Sequence, residues 1–124
     1  MIYLDTHVVV WLYIGQIEKL SNKAKVLINE HDLYISPIIR LELQYLYEIK
    51  RVTDEASKIV LDLSGRIGLK VCDKDFNNIV SGSLNISWTR DPFDRIIVAN
   101  AALRNTILVT KDQNILDNYE YAKW

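Results

Sequence analysis

The chain has 124 residues, of which 49% are hydrophobic and 25% charged; that length suits one domain over 1–124, and that composition can build a core and excludes intrinsic disorder. Lys and Arg number 15 against 16 Asp and Glu, for a formal charge of −1, so the protein is not basic overall and any hold on nucleic acid must come from a local patch or from bound cations. The single cysteine, Cys72, excludes a disulfide framework and a cysteine-based zinc site and suits a reducing cytoplasm.

Met1-Ile2-Tyr3-Leu4-Asp5 carries an acid where a signal peptide has a basic leader. The longest uncharged apolar stretch, about Val8 to Ile17, is far short of the ~20 residues that span a bilayer. Ile2-Tyr3-Leu4 reads as a short buried strand. Asp5-Thr6 ends it and caps a helix over Val8 to about Tyr13, which Gly15 stops. Ser21 is an N-cap for a helix through Val26, Leu27 and Ile28. Leu33-Tyr34-Ile35 is a second strand, and Ser36-Pro37 after it supplies a cap and a proline at the first helical position. The helix that follows carries Ile38, Leu41, Tyr45 and Ile49 at helical spacing.

Thr53-Asp54-Glu55 opens another helix, with Ile59, Leu63 and Ile67 on one stripe and Gly68 as its stop. Leu69-Lys70-Val71-Cys72 reads as the third strand, and Asp73 or Asp75 starts a helix through Phe76, Ile79 and Val80. A loop from Asn85 to Arg90 contains Trp88. Asp91-Pro92-Phe93-Asp94 has the form of a capping box, with Asp in place of the usual Glu, ahead of a helix through Ile97 to Leu103. Thr106-Ile107-Leu108-Val109 is the fourth strand, Thr110-Lys111-Asp112 caps a last short helix, and Tyr119 to Trp124 makes a small edge strand. Short apolar strands alternating with helices predict a parallel sheet covered on both faces, with right-handed crossovers.

Sites on such sheets lie beyond the carboxyl ends of the strands. Asp5 stands at the end of the first strand and Asp112 just past the end of the fourth; Asp91 and Asp94 open the helix that enters the fourth, and Glu42 lies on the helix leaving the second, between Leu41 and Leu43. If these strands are neighbours, the carboxylates converge. Two carboxylates about 5 Å apart repel by roughly 3 kcal/mol at an effective dielectric near 20, so such a site must protonate some members or bind a cation. Oxygen-only ligands without cysteine or paired histidine suit Mg²⁺ or Mn²⁺, and metal-assisted hydrolysis of a phosphodiester follows as the economical chemistry. Each acid also has a plainer reading: Asp5, Asp91 and Asp112 are good helix N-caps, Asp94 is a first-turn acid favoured by the helix dipole, and Glu42 is a helix-surface acid.

Four segments taken together, Asp5-Thr6-His7 with Val8-Val9-Val10-Trp11, Ser36-Pro37 with Leu41-Glu42-Leu43, Arg90-Asp91-Pro92-Phe93-Asp94-Arg95, and Leu108-Val109-Thr110-Lys111-Asp112, resemble PIN-domain ribonucleases. More narrowly they resemble the VapC-type toxins of bacterial and archaeal toxin–antitoxin pairs. The resemblance covers essentially the whole chain, and the segment around Asp91 to Arg95 is its most specific part.

It implies an α/β fold, a PIN-like three-layer α/β/α arrangement with a short-stranded, mostly parallel sheet of four or five strands. It implies a Mg²⁺- or Mn²⁺-dependent endoribonuclease leaving a 5′-phosphate and a 3′-hydroxyl. Asp5, Glu42, Asp94 and Asp112 match the family's four acidic positions. Asp5 and Asp94 would be the principal metal ligands, Glu42 would orient water or act as base, and Asp112 would complete the site through water. Thr110 matches a hydroxyl near the first acid, Thr6 supports the site, and Asp91 either reaches the pocket or only caps its helix. An RNA substrate, a cognate antitoxin lying along a groove, a homodimer and a cytoplasmic location are implied with it.

Further residues admit two readings each. His7 either contacts substrate or is structural on the first helical turn. Arg90, Arg95 and Lys111 flank the acids and can hold phosphates, while Arg95 can equally pair with Asp91 or Glu42. Trp88 can stack on a base or pack under its loop. Tyr45, Leu46, Tyr47 and Ile49 put apolar residues on more than one helix face, and Trp11 and Ile14 can join a partner groove. Two other function classes compete. A phosphoacceptor receiver domain would need Asp73 at the end of the third strand as its acceptor, and a non-catalytic RNA-binding or interaction domain would leave the acids without a task.

Overall fold

Three residues suffice for the central strand because all three are buried: Ile2, Tyr3 and Leu4 are each 1% exposed or less. A computed structural model describing residues 1–124 places this strand, β1 (Ile2–Leu4), between β2 (Leu33–Ile35) and β4 (Leu108–Val109). Outside them lie β3 (Lys70–Val71) and β5 (Ala122–Lys123), giving the order β3-β2-β1-β4-β5 with every pairing parallel. Tyr3 sits opposite Tyr34 on one side and Leu108 on the other, which fixes the register at the centre of the sheet.

Parallel neighbours require crossovers, and these are helical: α1 (Thr6–Ile14), a 3-10 turn (Ile17–Lys19) and α2 (Asn22–Glu30) join β1 to β2. Helices α3 (Ile38–Glu48) and α4 (Ala56–Ile67) join β2 to β3. Helices α5 (Phe76–Ser83) and α6 (Pro92–Ala102) lead to β4, and α7 (Gln113–Asn118) leads to β5. The result is a three-layer α/β/α fold around one cluster of 25 buried residues. No helix is long and apolar enough to cross a membrane.

Local chemistry sets most boundaries where the sequence predicts them. Ser21 accepts from the Ala24 amide and starts α2; Asp75, rather than Asp73, accepts from the Asn77 amide and starts α5. Gly15 and Gly68 end α1 and α4 in the left-handed region, at φ 77° and 70°. Nothing lies within 4 Å of where a Cβ would stand at Gly68, so the cost of a side chain there is conformational alone. Gly68→Ala is expected to lower stability by about 1 kcal/mol, read as a fall of roughly 4 °C in the thermal midpoint.

Three expectations are corrected. The strands at Leu69–Cys72 and Thr106–Val109 shrink to Lys70–Val71 and Leu108–Val109. The stripe Ile38, Leu41, Tyr45 and Ile49 is not the buried face of α3: Leu41 is 57% exposed, and the core takes Ile39 and Leu43 instead. The capping box at Asp91 is only half made. Asp91 accepts from the amides of Phe93 and Asp94, but its own amide donates to the Thr89 hydroxyl rather than to Asp94.

Strand order also bears on the receiver reading. That architecture sets its third strand directly beside the first. Here β3 is an edge strand with β2 between it and β1, and Asp73 is exposed at that edge. The topology therefore removes Asp73 from the neighbourhood of Asp5.

Candidate active site

The chain order reverses at β1, which has β2 on one side and β4 on the other. Ligand crevices of open parallel sheets form at this switch point. Asp5 follows β1 directly. It is only 6% exposed and accepts two hydrogen bonds, from the Thr6 amide at 2.8 Å and from the Thr110 hydroxyl at 2.6 Å. Thr110 follows β4, and its oxygen also accepts from the Asp112 amide at 3.0 Å. One hydroxyl thus ties the ends of the two strands together. Asp112 in turn accepts from the amides of Asn114 and Ile115 and caps α7.

The third acid arrives through α3. The Thr6 hydroxyl donates to Glu42 Oε1, so the residue that opens α1 also holds the side chain from α3. Helix α3 packs on α6 with the Tyr45 and Phe93 rings 6.3 Å apart. That contact sets Glu42 relative to Asp94, which stands in the first turn of α6. Helices entering or leaving a parallel sheet run against its strands. The N-termini of α1, α6 and α7 therefore meet at this edge, and their dipoles favour negative charge there. The capping and clustering readings of Asp5, Asp91 and Asp112 are not alternatives, since all three cap helices that converge.

The helix termini do not neutralise the cluster. Asp94 is half-buried and its carboxyl is pushed up to about 7, by burial first and then by the charges of Asp91, Asp5, Asp112 and Glu42. Burial likewise raises Asp5, against the hydrogen bonds from Thr110 and Thr6 and the nearby His7. Glu42 is raised by burial, drawn back by the Thr6 hydroxyl, and raised further by Asp5 and Asp91. The molecule's two ion pairs, Lys58–Asp54 and Arg66–Asp62, lie on α4 and the segment just before it. Five carboxylates therefore share one edge with no ion pair among them, His7 being the basic group that draws Asp5 and Glu42 down.

A family model for the PIN domain matches residues 2–120. The chain is a PIN domain. No curated protein matches the sequence significantly. Among solved structures, it is similar to a chain of a toxin–antitoxin complex from Klebsiella pneumoniae, with 17% identity, a TM-score of 0.67, and coverage of 100% of this chain and 97% of that one. It is also similar to a chain of VapBC2 from Rickettsia felis bound to a DNA fragment from its promoter, with 19% identity, a TM-score of 0.67, and coverage of 99% and 98%. At these identities the likeness establishes the fold.

The donor set of this PIN domain is oxygen only, which suits Mg²⁺ or Mn²⁺. No three acidic, histidine or cysteine side chains form a preassembled cage. Mg²⁺ needs none, since it is commonly held by one or two carboxylates and several waters. The two cavities of about 460 and 400 Å³ lie away from the acids, one between α4 and the β3 edge and the other beside Tyr47 and Val52.

The flanking residues divide. Arg90 and Lys111 are exposed. Arg95 pairs with neither Asp91 nor Glu42; its Nε donates to the Thr89 carbonyl at 2.8 Å and so braces the loop before α6. Trp88 packs against the core, and a cavity of about 320 Å³ beside it is lined by Ile86, Val98 and Tyr119. His7 is exposed, with its ring 6.1 Å from that of Trp11. Sequence reasoning placed Thr6 only as a cap and support. Its bond to Glu42 spans 36 residues, and no local pattern announces it. Thr110→Val keeps the shape and removes the donor to Asp5. With Asp5 reoriented, metal affinity or activity is expected to fall about 10–100-fold, measured by titrating Mn²⁺ against either readout.

Proposed function

We propose that this PIN domain is a Mg²⁺- or Mn²⁺-dependent endoribonuclease, and that it is the toxin of a VapBC-type pair, restrained in the cytoplasm by a cognate antitoxin. The observation that carries the reading is the cluster of Asp5, Glu42, Asp91, Asp94 and Asp112 at the β1/β4 switch point, none of them in an ion pair. Carboxylates repel phosphate, so a phosphodiester can approach only with a cation between them. The family supports nuclease chemistry, and the described neighbours from Klebsiella and Rickettsia support the toxin assignment and an antitoxin partner; a homodimer is part of the same proposal.

Asp5 and Asp94 would hold the cation, with Asp112 adding charge behind them. Asp5 enters this role oriented, because Thr6 and Thr110 occupy one lone pair on each of its oxygens and leave one free. A bound Mg²⁺ or Mn²⁺ supplies charge neutralisation at the scissile phosphate and acidifies water. Glu42, fixed by Thr6 at Oε1, keeps Oε2 for the proton of the attacking water, and its raised pKa brings it closer to a useful base. In-line attack by water leaves a 5′-phosphate and a 3′-hydroxyl. Asp91 makes two cap hydrogen bonds to α6 while its charge reaches Asp94 and Glu42. It serves as a cap and as a part of the field.

The test is cleavage of labelled RNA by purified protein. Activity is expected with Mg²⁺ or Mn²⁺, to vanish with EDTA, and to return when the metal is restored. Activity indifferent to chelator overturns the metal site. RNA binding that survives EDTA with no cleavage under either metal favours the non-catalytic RNA-binding reading instead.

A further inference from the structure

Cys72, the chain's one cysteine, follows the edge strand β3 and has no part in the steps above. It is buried, yet its sulfur is not set among apolar groups alone. The Tyr3 hydroxyl donates to Sγ at 3.1 Å, the Asn100 side-chain amide at 3.3 Å and the Lys74 backbone amide at 3.5 Å. Donors from β1, α6 and the segment after β3 thus converge on one sulfur. A thiol sulfur is a weak acceptor, whereas a thiolate receives charge-assisted bonds. Burial raises the thiol's pKa, but the bonds from Asn100, Tyr3 and the Lys74 amide, with the charge of Lys74, bring it below its ordinary value.

Two polar atoms of this cluster are buried and have no hydrogen-bond partner in the protein, Lys74 Nζ and Asn100 Oδ1. Asn100 is 0% exposed and turns its carboxamide to the sulfur. Lys74 Nζ stands 5.3 Å from the centroid of the Tyr3 ring, whose hydroxyl meets Sγ, and it joins neither of the molecule's ion pairs. A buried ammonium needs a counter-charge. No carboxylate supplies one here, and a Cys72 thiolate does. An unmet donor and an unmet acceptor are also the complement of one added oxygen: a sulfenate oxygen accepts from an ammonium, and a sulfenic acid hydroxyl donates to a carboxamide oxygen. A cavity of about 210 Å³, lined by Lys74, Asp75, Asn78 and Arg104, opens beside the lysine. It is roomy for hydrogen peroxide, which is little larger than water.

We propose that Cys72 is a peroxide-reactive site, oxidised as a thiolate to a sulfenic acid that Lys74 and Asn100 then hold. The thiolate attacks one oxygen of hydrogen peroxide. The S–O bond forms as the O–O bond breaks, sulfur gives up two electrons, and the departing hydroxide takes a proton from solvent to become water. The chain has no second cysteine, so no internal disulfide follows. A low-molecular-weight thiol from solution condenses with the sulfenic acid to a mixed disulfide and water, and a second such thiol displaces Cys72. The sulfur touches Tyr3, two positions before Asp5, and Asn100, on the helix whose first turn carries Asp94. The oxidation itself needs neither metal nor RNA, so it is independent of the nuclease reading.

The probe is dilute hydrogen peroxide in EDTA, with dimedone to trap sulfenic acid and intact mass to count adducts. Folded wild type is expected to take one dimedone at Cys72, and to take none when a thiol reductant is added before the trap; Cys72→Ser is expected to take none at all. The folded chain is expected to react about five-fold faster than the same chain unfolded in urea, where the thiol has its ordinary pKa. Lys74→Met is expected to slow the folded rate about five-fold, and Lys74→Arg to recover most of it. A folded rate at or below that of the unfolded chain overturns the proposal and makes Cys72 an inert buried thiol; this comparison requires no variant to fold. A Lys74→Met variant that reacts at the wild-type rate overturns it as well.

Discussion

Asp94→Asn is expected to cut RNA cleavage by a factor on the order of 10³ while making the metal-free protein harder to unfold. The carboxamide keeps the size of the side chain and removes its charge. Cleavage is expected to fall because Asp94 is one of the two proposed cation ligands. Stability is gained because the charge removed is a half-buried one that also faces Asp91, Asp5, Asp112 and Glu42; burial first and these charges second push its pKa up to about 7. After allowance for solvent screening the gain is about 2 kcal/mol at pH 8. Single-turnover cleavage in Mg²⁺ and urea melts in EDTA measure the two effects. A variant that cleaves within ten-fold of wild type would remove Asp94 from the ligand set; a destabilised one would mean that the residue packs rather than repels. Opposite signs for activity and stability are the mark of a site whose strain serves function.

The second large effect is on pH. The metal-free protein is expected to lose stability as pH rises from about 4 to 8 and to regain it when Mg²⁺ or Mn²⁺ is added. The sign follows from linkage: a carboxyl whose folded pKa lies above its unfolded value binds more protons in the folded state. Its contribution is complete below the unfolded value and is lost as pH climbs through the folded one. For Asp94 the window runs from the ordinary 3.8 to about 7. Asp5 and Glu42, both raised, act in the same direction. Asp54, held low by Tyr13 and Lys58, acts the other way but below that window. The unscreened ceiling for Asp94 is about 4 kcal/mol, and about 2 kcal/mol is the expected size after screening. Metal at about a hundred times its Kd restores about 2.7 kcal/mol at pH 8. Thermal melts across pH, with EDTA and with Mg²⁺, provide the check; a flat metal-free profile would show that the carboxylates do not interact.

The sequence shows strongly wherever one residue does a local job. Asp5, Ser21, Asp75, Asp91 and Asp112 bond to amides one to three positions ahead, and Gly15 and Gly68 relax a backbone that other residues would strain. Strand-end placement then brings the acids to one edge, since helices on a parallel sheet return to it. Contacts that depend on which helix lies opposite are hidden. Helix α3 is apolar on several sides, so its period alone cannot choose Ile39 and Leu43 over Leu41 and Tyr45; packing against α4, α6 and α1 decides. Arg95 has acids nearby in sequence, yet it turns to the Thr89 carbonyl. The buried Asn100, whose amide donates to Cys72 Sγ at 3.3 Å, is one polar letter in an alanine-rich helix.

The hydrogen bond from Thr110 to Asp5 joins residues 105 positions apart. During synthesis Asp5 emerges early and waits, without its partner, until nearly the whole message has been read. A chain that ends before Thr110 carries at most four of the five acids and lacks the clasp that orients the first of them. Orientation of the first acid is thus among the last steps in making the fold, and any fragment that stops short of Thr110 holds the Asp5 carboxylate by the Thr6 amide alone.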